Sequence, residues 1–192
     1  MSSSILFRLS GLSCILAGVA VAIGWVAMSV SPSGVALNTL IIIVGLLLAP
    51  LAITGLYLRQ REESGSLGAV AYFVTMIGVG LVTGLNYAVA FVLLSLSESQ
   101  RTELLAGTTG AAFGVTGVVS LVGVILFGIA TFRAGVFSRV PAVLLVIGNV
   151  PLGLVPLFPP VGVAIGAVVF GAALIWLGSE LWSARGEAQV SP

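Results

Sequence analysis

Charge is missing from this chain in long blocks. Segments 9–28, 35–58, 67–94, 104–132 and 140–158 contain no Asp, Glu, Lys or Arg, and segment 161–182 contains only Glu180. A helix needs about 20 apolar residues to cross a hydrocarbon core of about 30 Å, at a rise of about 1.5 Å per residue. The runs show no two-residue alternation and far exceed the roughly 10 residues of a barrel strand. With 59% hydrophobic and 7% charged residues and a mean hydropathy of +1.26, the whole chain is suited to lipid. The expected fold is an all-α membrane protein, a single domain of six transmembrane helices with spans at about 9–28, 35–58, 67–94, 104–132, 140–158 and 161–182.

The connections are short, which makes consecutive helices antiparallel neighbours in one bundle. Pro151 and Pro156 favour a kink or break in the fifth span, because proline removes an amide donor and crowds the preceding turn. Before the fourth span, Ser97 and Gln100 have capping-box spacing, and Glu98 and Glu103 are expected at the positive end of a helix that projects beyond the membrane. The apolar run of the first span is longer than a usual signal-peptide core, and five spans follow it, so it is read as uncleaved.

Orientation follows from the arginines. Six alternating spans place Arg8, Arg59, Arg61, Arg133, Arg139 and Arg185 on one side and Arg101 on the other. By the positive-inside rule, both termini are expected in the cytoplasm. The charge run "LRQREESG" at Leu58–Gly65 then reads as a cytoplasmic hairpin connection.

Glycine is the most organised signal within the spans. Gly107, Gly110, Gly114 and Gly117 recur at steps of three, four and three. Gly80 with Gly84, Gly162 with Gly166, and Gly18 with Ala22 share a four-residue spacing. In lipid, small residues let backbones approach and associate by van der Waals contact. Packing inside the bundle is the commoner use; an outward-facing seam would mark a homo-oligomer or partner face. Buried polarity is sparse. Asn86 stands toward the outer part of the third span and Asn149 near the middle of the fifth, and an amide in hydrocarbon needs a partner. They either bond between helices or, with Thr83 and Tyr87, line a small pocket for a neutral ligand. Glu180 is expected near the interface of the sixth span, and Cys14 as a small hydrophobe.

Every cation is Arg and every anion Glu; His, Lys and Asp are absent, and Cys14 is the one cysteine. No imidazole or lysine is available as a base beside a serine, and the usual zinc and haem ligands are missing. Catalytic residues, metal ligands and cofactors are therefore not expected. A net charge of +1 offers no basic stripe for nucleic acid. The partners expected are membrane lipids and a membrane protein or a second copy of the chain.

The stretches "RLSGLSCILAGVAVAIG" from Arg8, "FRAGVFSRVPAVLLVIGN" from Phe132 and "GAALIWLGSELW" from Gly171 resemble those of uncharacterised six-span integral membrane proteins of bacteria. The resemblance implies a multi-pass protein of the prokaryotic cytoplasmic membrane. It implies no activity, so it transfers no functional residue. The leading expectation is a non-enzymatic structural or accessory membrane subunit; the alternative is binding or transport of a small neutral or lipophilic solute.

Overall fold

The computed structural model describes residues 3–31 and 34–183, and their regular structure is entirely helical. The elements are α1 (Ser3–Val30), α2 (Val35–Phe91), a 3-10 turn (Leu93–Ser95), α3 (Glu98–Ala106), α4 (Thr108–Ala134), α5 (Arg139–Gly153), a 3-10 turn (Val155–Leu157) and α6 (Pro160–Ser183). Among the described residues, four helical segments are long and apolar enough to cross a membrane: 5–30, 35–95, 108–134 and 160–183.

Helix α2 holds 57 residues, which would extend about 85 Å if straight. It reverses at Gly65, where φ is 53° and ψ is −142°, a conformation open essentially only to glycine. Side chains on the two sides establish the reversal. Thr54 and Tyr72 would stand about 27 Å apart along a straight helix, yet their hydroxyl oxygens are 3.2 Å apart. The rings of Tyr57 and Tyr72 stack with centroids 4.7 Å apart. The Thr54 hydroxyl donates to the Pro50 carbonyl at 2.7 Å, so Tyr72 is the donor to Thr54. The two arms are here termed α2a (35–64) and α2b (66–91).

The hairpin is tighter than the charge run suggests. The helix does not stop at Leu58 but runs on to Ser64, because Leu56, Gln60 and Ser64 continue its buried face at four-residue steps. Between Leu58 and Ser64, the exposed residues are Arg59, Arg61, Glu62 and Glu63.

The six long arms form a closed antiparallel ring in the order α1, α2a, α2b, α4, α5, α6 and back to α1. Glycines set the register at nearly every contact. Gly11 and Gly18 of α1 lie against Gly178 and Gly171 of α6, one pair rising along its helix as the other falls. Gly45 meets Ala17 and Ala20, Gly78 meets Ser120, Gly123 meets Thr75, Gly128 meets Ala142, and Gly148 meets Gly166. With a hydrogen in place of Cβ at these positions, the backbones approach closely enough for dispersion and Cα–H···O contacts to act.

Helix α5 is the exception in length. Its 15 residues span only about 22 Å, with Pro151 in the last turn and Pro156 in the following 3-10 turn. The apolar stretch 140–158 is thus a short helix and a turn.

The fourth apolar stretch is divided as well. Ser97 and Gln100 make the capping box, with Glu98 in the first turn of α3. Glu103 falls in the second half of that helix. The backbone then breaks at Gly107 (φ −97°, ψ −152°), and α4 begins at Thr108.

Five arginines gather at one end of the ring. Arg8 lies over the Trp182 ring at 5.7 Å, and Arg139 over Phe132 at 5.2 Å. Arg59 and Arg61 share a groove with Leu6 and Phe7, and Arg133 sits in the last turn of α4. At the same end, Glu180 of α6 accepts a hydrogen bond of 2.9 Å from the backbone N–H of Ser138, the residue that caps α5. Arg101 is at the opposite end, donating to the carbonyls of Leu93 and Leu96. Arg185 lies outside the described residues.

Candidate functional site

The ring surrounds a partly open cavity of about 130 Å³ to which all six arms contribute. Its walls are chiefly aliphatic and aromatic, with Trp25, Phe127 and Phe170 among them. No charged side chain lines it. Polar groups come from Thr75 and Asn86 of α2b, Ser120 of α4, Asn149 of α5 and the indole N–H of Trp25 of α1.

Two of the four residues read from sequence as a polar pocket, Asn86 and Asn149, line this cavity; Thr83 and Tyr87 do not. The Thr83 hydroxyl donates to its own helix at the Val79 carbonyl, and Tyr87 faces outward beside Phe91.

The two asparagines make no hydrogen bond to each other. The register of α2b on α4 sets Gly78 beside Ser120 and Thr75 beside Gly123, which brings Asn86 level with Ala112. The register of α5 on α4 sets Gly153 beside Gly117, which brings Asn149 level with Leu121. The two amides are therefore separated by about 13 Å along the ring axis, with Asn86 toward the end distant from the arginines.

Their hydrogen bonding also differs. Asn86 Nδ2 donates to the Val82 carbonyl at 2.8 Å, one turn back on its own helix. A carbonyl can only accept, so this contact fixes which end of the amide is nitrogen. Asn149 is 4% exposed, and its Nδ2 has no hydrogen-bond partner. Leaving such a donor unpaired in an apolar interior costs about 1–3 kcal/mol. Thr75 spends its hydroxyl on the Ala71 carbonyl. Ser120 lies within one helical step of the Asn149 level, across the α4–α5 contact.

The glycines singled out from sequence divide by environment. Gly117 packs against the Gly153 carbonyl of α5, and Gly166 lies 2.9 Å, by its would-be Cβ, from the Gly148 carbonyl. Gly162 meets only Pro159 and Phe158 nearby in the chain, and Gly110 only Leu105. Gly107 is the break between α3 and α4, so the four glycines from 107 to 117 do not share one helix. Gly80, Gly84 and Gly114 have nothing within 4 Å of a Cβ position. These three are exposed.

Further buried polar groups went unnoticed in the sequence, among them Ser10 and Ser64, whose hydroxyls have no partner, and Gln60, which sits inside the charge run. Gln60 is 0% exposed and donates through Nε2 to Thr131 Oγ1 of α4 at 3.0 Å, while its Oε1 has no partner. The helical step from Leu56 was the signal that could have found it. Cys14, 0% exposed, donates its thiol to the Leu174 carbonyl at 3.1 Å.

Comparison with protein-family models, curated proteins and solved structures returns no match, and the resemblance to six-span bacterial proteins rests on sequence layout alone.

Proposed function

We propose that this chain is a six-crossing protein of a prokaryotic cytoplasmic membrane, with both termini inside, that binds a small neutral lipophilic ligand within its ring of helices and does not transform it. The observation that carries the binding reading is the apolar cavity inside the ring, with Asn86, Ser120 and Asn149 among its lining residues. Among ligand sites, an apolar pocket with a few convergent polar groups is the usual form. Uncharged walls disfavour ions and charged solutes, and a cavity without an acid or base offers no group for proton transfer. The reversal at Gly65 supports counting α2 as two crossings, and the gathering of Arg8, Arg59, Arg61, Arg133 and Arg139 supports the orientation.

Native mass spectrometry of the protein, extracted from its own membrane in mild detergent at natural abundance, tests the binding reading. A reproducible small-molecule adduct on the intact chain is expected; a bare chain under conditions that retain bound lipids would refute it. Orientation is tested with a membrane-impermeant thiol reagent. Cysteine at Glu98 should label in intact cells and cysteine at Glu63 only after permeabilisation.

A second reading has its own observation. Gly80 and Gly84 of α2b and Gly114 of α4 are exposed with open space beside them, the arrangement a packing face for a membrane partner or a second copy requires. Crosslinking from cysteines at Ile77 and Leu81 distinguishes it: adducts between chains, lost on Gly84→Leu, support that reading.

A further inference from the structure

We propose that the central cavity takes a single unbranched hydrocarbon tail, inserted lengthwise from the end away from the arginines, and that the ligand is a neutral one-tailed amphiphile whose polar head stays at the mouth. This rests on the binding reading and adds the ligand's shape and its direction of entry. On α2a, the lining residues Ile42, Leu46, Ala49, Ile53 and Leu56 follow one another at steps of four and three, so the cavity runs along one side of that helix for about 21 Å. Half of a bilayer's hydrocarbon core is only about 15 Å deep, so an extended lipid tail fits along this length. Width follows from volume. At about 10–15 Å³ for each water-sized group, 130 Å³ holds about ten of them, and ten spread over about 21 Å is little more than single file. A chain of methylenes occupies such a bore; ring systems and branched skeletons need several groups abreast.

The two ends of the bore differ. Nearest the arginines, each arm contributes a buried lining residue: Ala17, Leu56, Thr75, Phe127, Leu145 and Leu174. One turn beyond Leu56 and Phe127, Gln60 donates to Thr131 across the ring, between arms that are not neighbours. Leu177 and Leu181 continue the buried face of α6 past Leu174. That end is stoppered. In the other direction, the farthest lining residues of four arms, Trp25, Ser120, Leu152 and Phe170, are only half-buried, which puts the opening on that side. Trp25 stands in the last turns of α1, where its indole N–H can donate to a hydroxyl head. The bore itself carries no charge, so a tail enters it at no electrostatic cost, whereas a strongly hydrated head would lose its water.

The test uses two photoactivatable hexadecanols, one with a diazirine beside the hydroxyl and one with it beside the terminal methyl. Each is irradiated with the full chain in detergent, with and without an unlabelled competitor, and the labelled residues are located by peptide mass spectrometry. The methyl-end probe is expected on Leu56, Phe127 or Leu145 and the hydroxyl-end probe on Trp25, Val82 or Leu152, both saturably. Hexadecanol should compete at least about fivefold better than its branched isomer 2-hexyldecanol, the low end of what forcing extra methylenes into a packed space costs. Ala49→Phe, halfway along the bore, should abolish the deep labelling and keep that at the mouth. Equal competition by the two isomers, or deep labelling that persists in folded Ala49→Phe, would overturn the single-tail assignment. Labelling in the reverse order, or at one depth by both probes, would overturn the direction of entry. Each of these results leaves the binding reading standing. Absence of saturable labelling on any inward residue would remove the binding reading itself. The wild-type depth order decides the case even if the variant does not fold.

Discussion

Substituting Gly171 by alanine tests whether the ring is held by backbone approach. A Cβ at Gly171 would lie 2.5 Å from the Gly18 carbonyl oxygen and 3.0 Å from Ala22 Cβ, whereas ordinary contact begins at 3.4 Å. The obstacle is the backbone of α1, so relief requires α1 and α6 to part by about 0.9 Å locally. On a dispersion potential a gap of about 0.5–1 Å forfeits a quarter to a half of the well for the atoms facing it, and overpacking costs about 1–3 kcal/mol. Loss of the reciprocal Cα–H···O contacts at Gly18 and Gly171 adds about 0.5–1 kcal/mol each. The gain in helix propensity from Gly to Ala is at most about 1 kcal/mol, and less where the unfolded state in a micelle stays helical. The net expectation is a loss of about 2–3 kcal/mol. Gly114→Ala is the control: it has the same chemistry and open space beside it, so its effect should fall between zero and a gain of about 1 kcal/mol. Both are read by reversible unfolding of the purified protein in mixed micelles with increasing dodecyl sulfate. If Gly171→Ala came within about 0.5 kcal/mol of Gly114→Ala, glycine contact would not be what closes the ring.

Gly65→Ala meets no steric obstacle, since nothing lies within 4 Å, but forces alanine to φ 53° and ψ −142°; a loss of about 1–3 kcal/mol by the same assay is expected, and a neutral result would contradict the reversal at that residue. Gln60→Ala removes a fully buried side chain and leaves Thr131 without its donor, so a loss of about 2–4 kcal/mol is expected, while Gln60→Met keeps the volume, removes the unpaired Oε1 and should cost less than about 1.5 kcal/mol. Ser97→Ala deletes the capping box of the exposed helix α3 and should cost about 1 kcal/mol of local stability, seen as faster amide exchange in 98–106 and nowhere in the ring.

Most of the helical layout was legible in the long apolar runs. An apolar stretch without charge has few alternatives to helix, and the capping box at Ser97 is a local signal that the structure realises. The boundaries were less legible. Charge suggested an end to α2a at Leu58, yet charged residues can ride on the outer face of a helix whose inner face remains buried, as Gln60 and Ser64 do. Glycine spacing was readable but its partner was not. The run from 107 to 117 looked like one seam because spacing alone does not show a break, and Gly107 is that break. Two reciprocal glycine contacts, Gly11 with Gly178 and Gly18 with Gly171, join the first and last helices. No local pattern connects residues so far apart in sequence; closure of the ring does.

Ring closure also explains why the cavity could not be read from either asparagine alone. In an open row of helices, Asn86 and Asn149 could face lipid, a neighbour or each other, and residue type does not choose among these. Once α1 packs on α6, the inner faces of all six arms converge, and side chains at positions such as Thr75, Asn86, Ser120 and Asn149 must share one chamber. Small residues at the ring contacts bring backbones together around the circumference, while the centre retains space that the inward side chains do not fill. Packing and cavity thus have one cause: the glycines that shorten the contacts between neighbours leave the polar selection to a few inward residues. Of these, Asn149 has a buried donor with no partner. Leaving that nitrogen buried and unpaired costs the folded protein about 1–3 kcal/mol, so ring closure places a polar group where packing alone gives it no partner.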